Sequence, residues 1–123
     1  MANNFRMINF AAEPNSAGTP YIMYEAGSGV TAIVLGLVLS NIHTSQVTAT
    51  VRLVSTTGSR GGATGSLVSN GTSIIVKDAP IPVGSSLELM AGNKVVLETT
   101  DQITVDCSVA DKLSGTLSIM EIT

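Results

Sequence analysis

The stretch TAIVLGLVLSNIHTSQVTATVRLV, residues 31–54, decides the fold. Ile33, Leu35, Leu37 and Leu39 recur at period two on one face of an extended chain, with Val34 and Val38 on the other and Gly36 between them. Apolar side chains on both faces predict a strand covered on both sides, as in the middle of a sheet. Residues 41–46 are turn chemistry, short polar side chains that satisfy nearby backbone groups. Val47, Ala49, Val51 and Leu53 then alternate with Thr48, Thr50 and Arg52, the pattern of a half-buried antiparallel strand. The stretch reads as a hairpin at the centre of a β-sandwich, with the other segments pairing beside it or packing over it.

Working outward, Tyr21–Glu25 reads as a short strand between the loop EPNSAGT (13–19) and the turn AGSG (26–29). After Val54 comes STTGSRGGATGS (55–66), a surface loop in which Arg60 is the only charge. Its glycines lack the GxxxxGK[ST] spacing of a phosphate cradle. A brief strand is expected at Leu67 and Val68, and Asn70-Gly71 is a hairpin signal, because both residues tolerate positive φ. A strand follows over 72–77. Two prolines in DAPIPVG (78–84) predict a crossing loop there. Further strands are expected over 85–90, 95–97, 103–109 and 117–122, separated by AGN, ETTDQ and the turn at 111–114. Nine or ten short strands, with no helical period and no fixed repeat, predict an all-β antiparallel sandwich, jelly-roll-like. Residues 19–123 are its domain. Residues 1–18 precede it as an arm or edge segment carrying Phe5, Met7 and Phe10, with Ile8 on the alternate face.

A chain of 123 residues fits one domain. Its hydrophobic fraction is 44%, its charged fraction 12% and its mean hydropathy +0.40. No apolar run reaches the roughly 18 residues of a membrane span. The N-terminus MANNFRMINF lacks the basic region and apolar run of a signal peptide, so no membrane partner is expected. So little charge on so apolar a chain suits a surface hidden in an oligomer. The net charge of −3 and the lack of a basic stripe argue against a direct grip on nucleic acid. Cys107 is the only cysteine and falls in the alternation Ile103, Val105, Cys107, Val109, where it reads as a small buried hydrophobe. No His or Lys adjoins it in sequence to activate the thiol.

No catalytic, metal or cofactor residue is expected, and the chain does not read as an enzyme. His43, the only histidine, lies in the polar turn NIHTS, and no nucleophile motif accompanies it. One His and one Cys are too few for a zinc site. Glu98, Asp101, Asp106 and Asp111 form an acidic region without a calcium-loop pattern and read as a solvated corner. With no Trp and two Tyr, a sugar-stacking face is disfavoured. All four aromatics, Phe5, Phe10, Tyr21 and Tyr24, precede residue 25. They either close one end of the sandwich or anchor a partner. Arg6 lies beside them, and aromatic and Arg side chains dominate interface hot spots. The candidate partner-binding residues are therefore Phe5, Arg6, Phe10, Tyr21 and Tyr24.

The runs PIPVGSSLELMAGNKVVLETTDQITV (80–105), GTLSIMEIT (115–123) and TAIVLGLVLSNI (31–42) resemble small virion structural proteins of tailed bacteriophages. The likeness covers about residues 20–55 and 72–123 and rests on the pattern of strands and turns. It implies a β-sandwich or jelly-roll cement (decoration) protein on the capsid exterior. Such a protein is a homo-oligomer, a trimer in this family, bound to the major capsid protein with no cofactor. A neck, tail or fibre component of the same virion is the alternative within the family, and a carbohydrate-binding module the alternative outside it.

Overall fold

The computed structural model describes residues 2–55, 71–90 and 94–123. Among them are nine strands and no helix: β1 (Asn3–Glu13), β2 (Tyr21–Glu25), β3 (Thr31–Asn41), β4 (Val47–Ser55), β5 (Gly71–Ile81), β6 (Ser86–Leu89), β7 (Val95–Leu97), β8 (Gln102–Cys107) and β9 (Leu113–Ile122). They form two antiparallel sheets. The first, sheet A, has the order β1-β9-β3-β6, with β7 also on β3; the second, sheet B, has the order β2-β8-β4-β5. The pairs β1·β9, β2·β8, β3·β6 and β4·β5 are those of one long hairpin rolled into two layers, the jelly roll. The fold is the all-β antiparallel sandwich expected. The Gly-rich loop, Leu67-Val68, Asn70 and the 91–93 turn lie outside the described residues.

The central hairpin does not form. β3 and β4 are each central in a sheet, but in opposite sheets. Asn41 explains the crossing. It is buried, its Nδ2 donates to the carbonyls of Ser45 (2.9 Å) and Ile81 (2.8 Å), and its Oδ1 accepts from the His43 backbone N–H (2.7 Å). The polar turn is thereby pinned to the end of β5 in the other layer, about 10 Å away at usual sheet spacing. Period two reveals a strand but not its partner.

The face assignment of β3 also changes. Between Val34 and Gly36 the register against β9 slips by one residue. Ala32 and Val34 point inward before this bulge, and Leu37 and Leu39 after it. A bulge inverts the alternation, so a strict two-residue period fails at Leu35. β5 runs through Asp78 and Pro80 to Ile81, where a crossing loop was expected. It is an edge strand, where a missing N–H breaks no ladder. β9 starts at Leu113, ahead of the expected 117, because β3 pairs with it as far as Asn41↔Leu113. Residues 3–13 take the edge-strand form, paired with β9 from Asn3↔Ile122 to Phe10↔Gly115 and again at Glu13↔Leu113.

The core is aliphatic. Val34, Leu37, Leu39, Leu117 and Ile119 of sheet A meet Val47, Val51, Ile103 and Val105 of sheet B. Cys107 is buried among them, as expected. Phe10 lies over Gly115, where an added Cβ would stand 2.5 Å from the ring. The ring also meets Tyr21 edge-on, with centroids 5.2 Å apart. Gly115 is thus the residue that lets an aromatic side chain cover the sheet.

Candidate interaction face

The alternation that buries one side of each strand turns the other side outward, and the two outer faces differ in chemistry. On sheet A, register aligns Phe5 with Met120, Met120 with Ile33, and Ile33 with Val96. This is an apolar row across four strands. Phe5 is 75% exposed and Val96 55% exposed, at opposite edges of the sheet. The next row begins with Met7, 65% exposed, and passes through Ser118 to Gly36. The row after it is Asn9, Thr116, Val38 and Glu88. Among the strand residues that register places on this face, Glu88 carries the only charge; Lys94, exposed, precedes β7.

The Gly36 row contains a hollow. β7 pairs with β3 over residues 32–34 and β6 over residues 37–40, so neither covers Leu35 or Gly36. The hollow measures about 290 Å³ and is lined by Leu35, Gly36, Val38, Leu89, Thr116 and Glu88, among others. A Cβ added at Gly36 would meet nothing within 4 Å. The β3 bulge and the end of β6 at Leu89 border this depression.

The outer face of sheet B is held by polar pairs. Arg52 Nη1 donates to Asp106 Oδ2 across β4 and β8, and both side chains are largely buried. Thr50 is 2% exposed and accepts from the Asp78 backbone N–H at 3.0 Å. Thr50, on the side that the alternation predicts to face water, is therefore covered instead: the turn of β5 at Asp78, with φ +50°, brings its N–H over the hydroxyl. Gln102 Nε2 donates to Glu25 Oε1 at 2.6 Å. Ile22 and Ile74 are exposed on this side too, but Thr104 and Arg52 stand between them.

The aromatic candidates divide by parity. Phe10, Tyr21 and Tyr24 face the interior along the side where edge strands β1 and β2 meet, while Phe5 stands on the outer face of sheet A. Arg6 joins the interior group at the rim, where Arg6 Nε and Tyr24 Oη both donate to Glu121, the latter at 2.6 Å. This contact ties sheet A to sheet B. Burial and the hydrogen bond to Glu121 push the Tyr24 hydroxyl well above its ordinary pKa, and the bond from Tyr24, with Arg6 beside it, holds the Glu121 carboxyl below its own. Met7, Ile33, Val96 and Met120 were not singled out from sequence. Their signal was present in the two-sided apolarity of residues 33–38, which no third layer covers among the described residues.

The acidic region is not a solvated corner throughout. Asp101 is buried and its Oδ2 accepts from the Glu98 N–H at 3.1 Å, capping the turn before β8, and Asp106 is taken by Arg52. Among the described residues, no group of three or more His, Cys, Asp or Glu is placed to hold a metal ion.

No protein-family model matches the chain. No curated protein matches it either. Among solved structures, one reported under the statement that Bacillus endospore appendages form a novel family of disulfide-linked pili is similar over 99% of this chain and 87% of its own, at 18% identity and a TM-score of 0.45. Likeness at that level carries no argument about function.

Proposed function

We propose that this chain is a structural subunit of a larger assembly, and specifically a capsid cement protein that binds the outside of a phage shell as a symmetric homo-oligomer. The observation that carries the structural role is the outer face of sheet A, an apolar row from Phe5 to Val96 interrupted by no charge. An uncovered face of this kind is the surface of a protein that works by burying area against neighbours. The capsid as the larger partner rests on the resemblance of residues 31–42, 80–105 and 115–123 to small phage virion proteins. The jelly-roll connectivity is compatible with that role and, being shared by many functions, does not select it. Charge supports an exterior position: the chain is net negative and offers no basic stripe to packaged DNA.

The test mixes stripped capsids with purified protein and counts bound copies after sedimentation. Saturable binding at a fixed number of copies per capsomer is expected. A few copies per particle would move the protein to the neck or tail, and no co-sedimentation would remove the capsid as partner.

A further inference from the structure

We infer that two copies of this chain pair face to face through sheet A about a two-fold axis parallel to the strands, each copy seating its Met7 in the other's Gly36 hollow. The inference extends the assembly reading to its first neighbour and stands on the face alone. It gives two-fold symmetry in place of the three-fold symmetry implied by the resemblance.

The layout of the face leads to this pairing. Its projections lie at one edge, Phe5 and Met7 on β1, and its depression lies off-centre toward the other, over β3 between Ser118 and Thr116 of β9 and Glu88 and Leu89 of β6. A two-fold axis along the strands, passing between β9 and β3, exchanges the two edges while keeping each row in place. The rows then meet their own complements. Phe5 falls on the partner's Val96. Met7 falls on the row in which Gly36 has no neighbour on β6 or β7. Asn9 falls on Glu88, so the one carboxylate that these strands turn to the outer face meets an amide donor. Such a contact is isologous and closes at two copies.

Size is sufficient. Four strands spaced about 4.8 Å apart and about 27 Å long over residues 3–10 give a face of about 500 Å² per copy. Two copies reach the roughly 1,000 Å² that a specific interface must clear, before counting the relief of the side chains. The charge pattern disfavours an acidic or basic partner as the natural occupant, since the outer face of the strands offers only Glu88 to either.

The experiment is size exclusion with light scattering at micromolar concentration. The wild-type chain is expected at twice its 12.6 kDa mass. Met7→Asp is expected to run as a monomer. So is Gly36→Leu, which fills the hollow at a position where a Cβ meets no neighbour and therefore leaves the fold intact. Far-UV circular dichroism confirms folding of both. Phe5→Cys combined with Val96→Cys is expected to give a cross-linked dimer with a short bis-maleimide, and neither single variant should, because each residue sits far from its own copy across the axis. The buried Cys107 stays silent. A wild-type monomer or trimer, a dimer that survives both Met7→Asp and Gly36→Leu, or cross-linking by a single variant would overturn the pairing. Capsid binding is measured separately, so a dimer that fails to bind capsids would sink the cement reading and leave the pairing standing.

Discussion

The two outer faces of this sandwich are built on the same two-residue alternation and end in opposite chemistry. On sheet B the side chains of Arg52, Thr50 and Gln102 are partnered within the chain, by Asp106, Asp78 and Glu25, while the Thr104 hydroxyl between them is buried without a partner among the described residues. On sheet A the central residues are Met120, Ile33 and Val38, which have nothing polar to satisfy and, among the described residues, no layer above them. Sheet B is a finished surface. Its hydrogen bonds are made whether or not another molecule is present. Sheet A is unfinished in the sense that its apolar area stays in water until another surface arrives. The difference shows that burial alone does not identify an interface. Thr50, on the finished face, is buried more deeply than Ile33 on the unfinished one.

The comparison breaks most visibly at Arg52. Arg52→Ala leaves the Asp106 carboxylate largely buried without its cation, and a loss of about 3 kcal/mol is expected in urea titration. A loss near zero would mean that water reaches Asp106 and that sheet B is less finished than it looks. Thr50→Val is expected to cost about 1–2 kcal/mol, because the Asp78 N–H loses its acceptor while the shape of the side chain is kept.

The tie between the sheets sets a third test. Glu121 has a lower pKa folded than unfolded, so its carboxylate contributes stability above the ordinary glutamate range, and that contribution is lost as pH falls through the folded value. The urea midpoint should therefore drop in acid, and Glu121→Gln should flatten that part of the profile. Tyr24 acts in the opposite sense. Its raised pKa gives a contribution that is complete below about pH 10, the ordinary tyrosine value, and declines above it. Absorbance titration should show Tyr24 ionising above the ordinary tyrosine range. The smallest effect belongs to sheet A: in the monomeric Gly36→Leu background, Phe5→Ser should change stability by less than about 0.5 kcal/mol, as surface positions do. A larger loss would show that the Phe5 ring already packs within its own chain.

Much of this was legible in the sequence. The strands around Tyr21, Thr31, Val47 and Ile103 were readable because alternation and turn residues agree there. The candidate site was half legible. Aromatic type drew attention to Phe10 and Tyr24, which belong to the interior, while the row of Ile33, Met120 and Val96 is assembled from strands far apart in sequence and exists only once register is set. Three local facts defeated the reading. The bulge at Leu35 inverts parity, the Asn41 side chain sends the chain to the other sheet, and an edge position accommodates Pro80. Removal of residues 1–10 is likewise no clean probe of the partner contact, because it would take most of β1 from sheet A and Phe10 from the core.

The near absence of charge on sheet A has a thermal consequence. An association driven by releasing water from Phe5, Met7, Ile33 and Val96 has a negative heat capacity and weakens on cooling. With Glu88 as the one ionised group that the paired strands turn to the outer face, there is little for added sodium chloride to screen. Sulfate, which is excluded from apolar surface, should tighten the contact instead. Subunits fastened in this way would be released by the cold room rather than by a salt wash.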